Sequence, residues 1–282
     1  MSPIASDQFS GLRLVERVWR SAFSVFWRLP LLTIGIWVFY ALVSSLANQL
    51  LPVAGRYDLG QRFLNDALYS FLHAVAFAPL VTAVMLLVLR RDVRSADLWS
   101  PAILSIAVLL ALRDFTGLVL ATPTWFWSSH AGRMLDYDLY QRGTSPWLLS
   151  FLRITPAYLW YLANFLIGTR LILIFPVLAA GEGDWRKAVS GGWNAMRGHY
   201  KFALLAVYSA TLPCFLFERA IYPKLHRALA SPTPEFSPTI TLAQGKLLLL
   251  QSGDLALRLI LYAALAAWLY RAIAARRTLT AP

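Results

Sequence analysis

Apolar residues along this chain are massed into long runs separated by short polar stretches. Six runs, at about 30–51, 67–89, 100–121, 152–178, 202–221 and 247–270, each come near the ~20 residues a helix needs to cross ~30 Å of hydrocarbon. Backbone N–H and C=O groups find no water there, so each run is predicted to be a helix. As one helix at 1.5 Å per residue, the stretch from Trp147 to Ala180 would measure about 50 Å, so it is expected to tilt or to break near Pro156. Two segments are patterned differently. Over 9–28, Leu12, Val15, Trp19, Ala22 and Phe26 recur at three- and four-residue steps opposite Arg13, Glu16, Arg17, Arg20 and Ser24. Over 184–198, Trp185, Ala188, Val189, Gly192 and Met196 lie opposite Arg186, Lys187, Ser190, Asn194 and Arg197. Both patterns predict amphipathic helices lying flat in the membrane interface. The second follows a Gly181-Glu182-Gly183 turn, with Asp184 placed to cap its free N–H groups.

The fold class that follows is all-α: a polytopic membrane bundle of about six transmembrane helices and two interfacial helices, one domain over 1–282. Composition agrees, since 58% of the chain is apolar, only 14% is charged and the mean hydropathy is +0.56. The net charge of +12 would suggest nucleic acid if it were massed on a polar face, but the basic residues are scattered between apolar runs. Topology explains them better. With six crossings, one side holds fourteen Lys and Arg residues, the other holds eight, and Arg113, Arg153, Arg170 and Arg258 remain inside the runs. The richer side includes both ends of the chain, which places both termini in the cytoplasm. A cleaved signal peptide is not expected, because the segment before Leu31 is too long for an n-region and the apolar run continues to Leu51. Of the loops on the poorer side, Pro123–Pro146 carries Trp125, Phe126 and Trp127 as an aromatic belt would, and 223–245, with Pro232, Pro234 and Pro238, reads as irregular.

Ions inside spans cost about 2.5 to 3.5 kcal/mol each on insertion scales, so each needs a partner, a wet cavity or a headgroup. Here they fall at one depth. His73, Arg113, Asp114, Arg153, Asp254 and Arg258 are expected to form a layer in the outer half of the bundle, with Asp254 and Arg258 paired at i and i+4. Two readings are open: a polar cavity that holds an anionic headgroup or small anion, or interhelical ion pairs that lock the helices. Arg170, Arg186, Lys187, Arg197 and Lys201 are placed to meet lipid phosphates on the cytoplasmic side, with pairing to Glu182 as an alternative for Arg170. No catalytic residue is assigned, since the chain has no Gly-x-Ser-x-Gly elbow and no His-Glu-x-x-His. No cofactor or metal is expected: the single Cys214 provides no thiolate site and His73 has no second histidine at ligand spacing.

The run Arg170-Leu171, Pro176, Asp184-Trp185-Arg186-Lys187-Ala188 and Trp193 to Gly198 resembles a segment of the membrane domain found beside some glycerophosphoryl diester phosphodiesterases, and of its stand-alone bacterial relatives. The resemblance implies a six-helix bundle in a bacterial inner membrane. It does not imply hydrolysis, because His226-Arg227 is followed by Ala228 where the catalytic domain of that family has His-Arg-Gly, and no room exists for a barrel. The resulting expectation is a non-catalytic accessory, scaffold or assembly subunit, with lipid or small-anion binding or transport as the alternative. Expected partners are anionic membrane lipids and other membrane proteins, with no nucleic acid.

Overall fold

A computed structural model describes residues 11–50, 59–90, 93, 101–180, 185–221, 224–225 and 242–280. Among them the secondary structure is helical throughout, with no strand. In chain order the helices are α1 (Gly11–Arg28), α2 (Pro30–Leu50), α3 (Leu59–Arg90), α4 (Pro101–Ser128), α5 (His130–Gln141), α6 (Pro146–Leu171), α7 (Ile174–Ala179), α8 (Trp185–Ala195), α9 (Tyr200–Ala220) and α10 (Leu242–Thr280).

The last helix is the axis of the bundle. It packs on α3, α1, α2, α9 and α7, and small side chains alternate on its buried surface with Leu259, Ile260, Leu261, Leu265, Leu269 and Ile273. Ala256, Ala263, Ala264, Ala266 and Ala267 are all buried there. Small residues let helix backbones approach closely, which is how helices gain contact where no hydrophobic effect drives them together. Indole groups fasten both of its halves. Trp37 Nε1 of α2 donates to the Leu249 carbonyl and the Ser252 hydroxyl, each at 2.8 Å. Farther along, Trp268 Nε1 donates to Ser21 of α1 at 2.9 Å, and its ring lies 5.4 Å and 5.1 Å from the Arg17 and Arg271 guanidinium carbons. Arg271 donates onward to the Val88 carbonyl (3.0 Å), and Arg90 to the Ala180 carbonyl (2.7 Å). Positive charge thereby meets the carbonyls at the C-terminal ends of α3 and α7.

Four helical stretches are long and apolar enough to cross a membrane: Phe63–Arg90, Ala102–Val119, Tyr200–Phe217 and Leu248–Ala275. The pair Arg13–Arg28 and Pro30–Leu46, bent by 89°, makes a fifth when taken as one. The run at 152–178 departs from expectation. Its helix passes Pro156 unbroken, although a proline at this interior position removes one i→i−4 hydrogen bond, and the interruption falls instead at Ile172–Leu173. The apolar stretch Phe165–Ala179 is shorter than a crossing. Beyond the break, α7 is almost wholly enclosed, with Ile174, Phe175, Pro176, Leu178 and Ala179 buried.

Two further differences come from packing. The Pro123–Pro146 segment is helical: α4 continues through Pro123 to Ser128, and α5 begins on the Ser129 cap, whose Oγ accepts from Gly132 N at 3.1 Å. A Cβ at Gly132 would lie 2.0 Å from the Phe126 carbonyl oxygen, so this corner admits glycine alone. In α1, the most buried residues are Leu14, Val18, Ala22 and Val25, a stripe centred to one side of the expected one. It seats on protein, against α10 and α9, and only flanking groups such as Phe23 and Trp27 remain exposed. On α8, Ala188, Gly192, Ala195 and Met196 are buried, with Trp185 exposed. The Gly181–Gly183 turn, the Asp184 cap and the Pro232–Pro238 segment lie outside the described residues.

Adjacent glycines of α8 test this packing. A methyl group on Gly192 would meet Ile174 Cγ1 at 3.0 Å and Ile174 N at 3.1 Å, whereas one on Gly191 would meet nothing within 4 Å. Gly192→Ala is therefore expected to destabilise by about 1–3 kcal/mol, and Gly191→Ala to be neutral or to stabilise by up to ~1 kcal/mol. Thermal unfolding of the two variants in mild detergent checks the order; equal melting temperatures would remove α8 from the core.

Candidate functional site

Near the midpoints of α3, α4 and α10, three helices bring polar groups together inside the apolar bundle. Asp114 is the hub. Its Oδ1 accepts from Arg113 Nε at 3.0 Å and from Nη2 at 2.8 Å. Its Oδ2 lies 2.6 Å from His73 Nδ1. An ionised carboxylate can only accept, so Nδ1 of the imidazole carries a proton in this contact. The Nε2 of the same ring is buried and has no hydrogen-bond partner. His73 is held by rings on two sides, 5.9 Å from Tyr40 of α2 and 5.3 Å from Phe77 one turn on. Neighbours one apart on a helix do not normally face each other; Arg113 curls back on Asp114 because the alternative is a buried, unpaired guanidinium.

The other face of Arg113 lies over Tyr262 of α10, with the guanidinium carbon 5.2 Å from the ring centroid. This is a cation–π contact in a desolvated place. The Tyr262 hydroxyl is buried beside the Arg113 guanidinium, the charge it interacts with. Arg113 and Asp114 form part of the wall of a cleft of about 470 Å³, completed by Gly117, Leu118 and Trp125 of α4, Phe165, Gly168 and Thr169 of α6, Val207 of α9 and Tyr262. Most of this lining is apolar.

The expected charge layer thus resolves into three parts. His73, Arg113 and Asp114 form one connected cluster. Asp254 and Arg258 pair with each other at 2.7 Å, as their i, i+4 spacing requires, toward the N-terminal end of α10. Arg153 turns away from both and grips Asp136 of α5 with Nε (3.0 Å) and Nη2. Asp136 was not anticipated, because the segment carrying it reads as a loop in the sequence. Tyr262 was missed for a different reason: an aromatic in a span looks like core. Its spacing from Arg258 and Asp254, one and two helical turns, was the available signal.

Of the residues expected to meet lipid phosphates, Arg186, Lys187, Arg197 and Lys201 are exposed. Arg170 is not free to snorkel. Its guanidinium carbon lies 4.3 Å from the Trp193 ring and 5.6 Å from Tyr200, which ties α6 to α8 and α9. Glu182, its alternative partner, is outside the described residues. No group of three or more potential metal ligands occurs among the described residues. Comparison with family models, with curated proteins and with solved structures found no match.

Removing the hub is the sharpest test of the cluster. Asp114→Ala would leave Arg113 and His73 buried without their acceptor, at a cost of about 3–5 kcal/mol. Asp254→Ala, whose partner Arg258 has a side chain 37% exposed, is expected to lower stability less than Asp114→Ala does. Melting temperatures measured in one detergent decide between a structural hub and a dispensable ion.

Proposed function

We propose that this chain is a multi-pass membrane protein that crosses six times, with both termini in the cytoplasm, and that holds a lipid or small anion at the Arg113 cleft. In this reading α2, α3, α4, α9 and α10 supply five of the crossings. The sixth is α6 continued by α7, which together reach the needed length although the break divides them. In this reading α1 and α8 lie at the cytoplasmic interface, where the 89° elbow between α1 and α2 turns a flat helix into a crossing one. The exposed cations of α8 and the start of α9 then face anionic headgroups, at about 1 kcal/mol for each well-placed charge. The inner membrane of a bacterium is the location consistent with the resemblance carried by residues 170–201.

The observation that carries the binding reading is the union of a mostly apolar cleft with a guanidinium at its wall. Asp114 takes two of the N–H groups of Arg113, and in this reading the edge of the guanidinium on the cleft side meets an oxyanion. A second reading, a non-catalytic scaffold or assembly subunit, is favoured by the first half of α6. There Trp147, Phe151, Ile154, Tyr158, Leu159 and Leu162 are all exposed, and a partner membrane protein could cover that face as well as lipid does.

Two measurements test these statements. Ser237→Cys in a Cys214→Ala background is expected to react with a membrane-impermeant maleimide added to spheroplasts; protection would overturn the even number of crossings. Purified in mild detergent, the protein is expected to retain an anionic lipid or anion by native mass spectrometry, and Arg113→Ala to lower that occupancy about tenfold or more, the worth of a charge-assisted hydrogen bond. Undiminished occupancy in Arg113→Ala, or recovery of the wild type empty but bound to another membrane protein, would favour the scaffold.

A further inference from the structure

We infer that His73 and Asp114 form a proton-binding site at mid-membrane, loaded from the side on which α3 begins. The site is separate from the Arg113 cleft reading and stands whatever that cleft holds. It starts from the two nitrogens of one ring. Nδ1 of His73 lies 2.6 Å from the Asp114 carboxylate, which can only accept and so fixes the ring. Nε2, on the far side of the ring, is buried and has no hydrogen-bond partner among the described residues, and the side chain as a whole is 8% exposed. A histidine with a purely structural role would spend both nitrogens, as buried polar groups normally do. Left over here is a place for one proton, with a carboxylate already set against the opposite edge to hold the imidazolium that forms. Tyr40 and Phe77, with ring centroids 5.9 Å and 5.3 Å away, keep the imidazole from turning.

The route is written along α3. Counting back from His73 at helical steps, the same face carries Ser70, Tyr69, Asp66, Asn65 and Gln61, all half-buried. Ser70 Oγ donates to the Asp66 carbonyl at 2.8 Å, and Gln61 Nε2 to Asn65 Oδ1 at 3.0 Å. Counting forward, the face turns to Phe77, Leu80, Val81 and Val84, all fully buried. Polar side chains therefore run from the start of α3 to His73 and stop there, which is half of a path across the membrane. In the proposed topology it opens on the periplasmic side. The charged and titratable groups around the ring are few. α4 brings Asp114 and Arg113, α2 brings Tyr40 with Ser44 beside it, and α3 itself brings Asp66 and Tyr69. α10 contributes Tyr262, against Arg113, and the Asp254–Arg258 pair one and two turns nearer its N-terminus. Arg17 of α1 lies over Trp268, and α7 has no titratable group. With Nε2 bare, Arg113, Asp114 and His73 sum to zero charge. A proton from the outer water, added to the Nε2 lone pair, leaves the Nδ1 proton on its contact with Asp114 and brings the sum to +1, with no other bond changed. Ionisable groups at this depth are the elements that proton-coupled membrane proteins use, so the activity class is a proton-linked one.

The test uses the full chain in detergent, labelled with nitrogen-15 at its histidines, and assigns His73 by the NMR signals that His73→Gln removes. Spectra are followed from about pH 8 to about pH 5, the span over which imidazoles exchange protons. Nδ1 is expected to stay protonated throughout, and Nε2 to pass reversibly from bare to protonated while the chain remains folded. Asp114→Asn keeps an acceptor for Nδ1 and removes the charge, so it is expected to weaken proton binding about tenfold or more; Asp114→Glu, which restores the charge, is expected to recover most of it. Ser70→Leu plugs the polar file, and is expected to slow proton entry in a stopped-flow pH jump, read with an indicator dye against His73→Gln, without changing occupancy at equilibrium. A ring held in one protonation state across the range would overturn the site, and so would proton binding indifferent to Asp114→Asn. Should that variant not fold, the wild-type titration still decides. Entry at an unchanged rate in Ser70→Leu would overturn loading from the α3 side. Loss of the proton site would leave the retention of an anion or lipid by wild type, and its dependence on Arg113, as they are measured above, so the two readings fail separately.

Discussion

Everything in this bundle depends on how closely other helices can approach α10. Its buried alanines, from Ala256 through Ala267, remove the side-chain thickness that would otherwise hold α1, α3 and α9 at a distance. Only because those backbones close in can Trp268 reach Ser21, and Tyr262 lie against Arg113. In a hydrocarbon solvent this closeness is itself the source of stability, since apolar surface gains nothing from leaving lipid for protein. Polar contacts then become few and directional. Trp37 and Trp268 each spend one indole N–H near one end of the buried length, fixing rotation and register where the alanine face alone would permit sliding.

The charge cluster obeys the same economy. Asp114 is shared by an arginine beside it in sequence and a histidine from another helix, and every atom of its carboxylate is used. The group is close to neutral as a whole, which is what a low-dielectric interior tolerates. What it leaves over is the buried Nε2 of His73, enclosed by Tyr40 and Phe77. Arg113 and Asp114 both border the cleft, so the groups that lock α3 to α4 also form part of its wall.

Much of the architecture is legible in the sequence because long apolar runs mean membrane-length helices, and the i, i+4 spacing of Asp254 and Arg258 means a pair. What escapes is whatever depends on which helices are neighbours. Residues 9–28 show an apolar stripe but not whether lipid or protein will cover it, so the buried centre moves from the Trp19 side to Leu14, Val18 and Val25. Arg170 reads as a charge that must escape to the interface, yet Trp193 and Tyr200 supply two ring faces that no spacing rule reveals. The depth of the ions shifts for a simpler reason. The helices outrun the apolar runs, α10 extending over Leu242–Thr280 and α3 beginning at Leu59, so groups expected near one end lie at mid-helix. The break at Ile172–Leu173 carries no glycine or proline at its own positions; its cause is Pro176, whose missing N–H and ring fall on the Ile172 carbonyl four residues back.

The contact between Ser21 and Trp268 joins residues 247 positions apart, and this has a bearing on how the chain is made. When α1 leaves the ribosome, the helix that will receive its apolar stripe has not been synthesised. Docking of the first helix must wait for the last, which places its closure among the late and slow steps of assembly. Until then the bilayer surface is the natural resting place for an amphipathic segment of this kind. The same helix would thus serve two hosts in succession, lipid during biogenesis and α10 afterwards, and truncation near the C-terminus would strand it on the first.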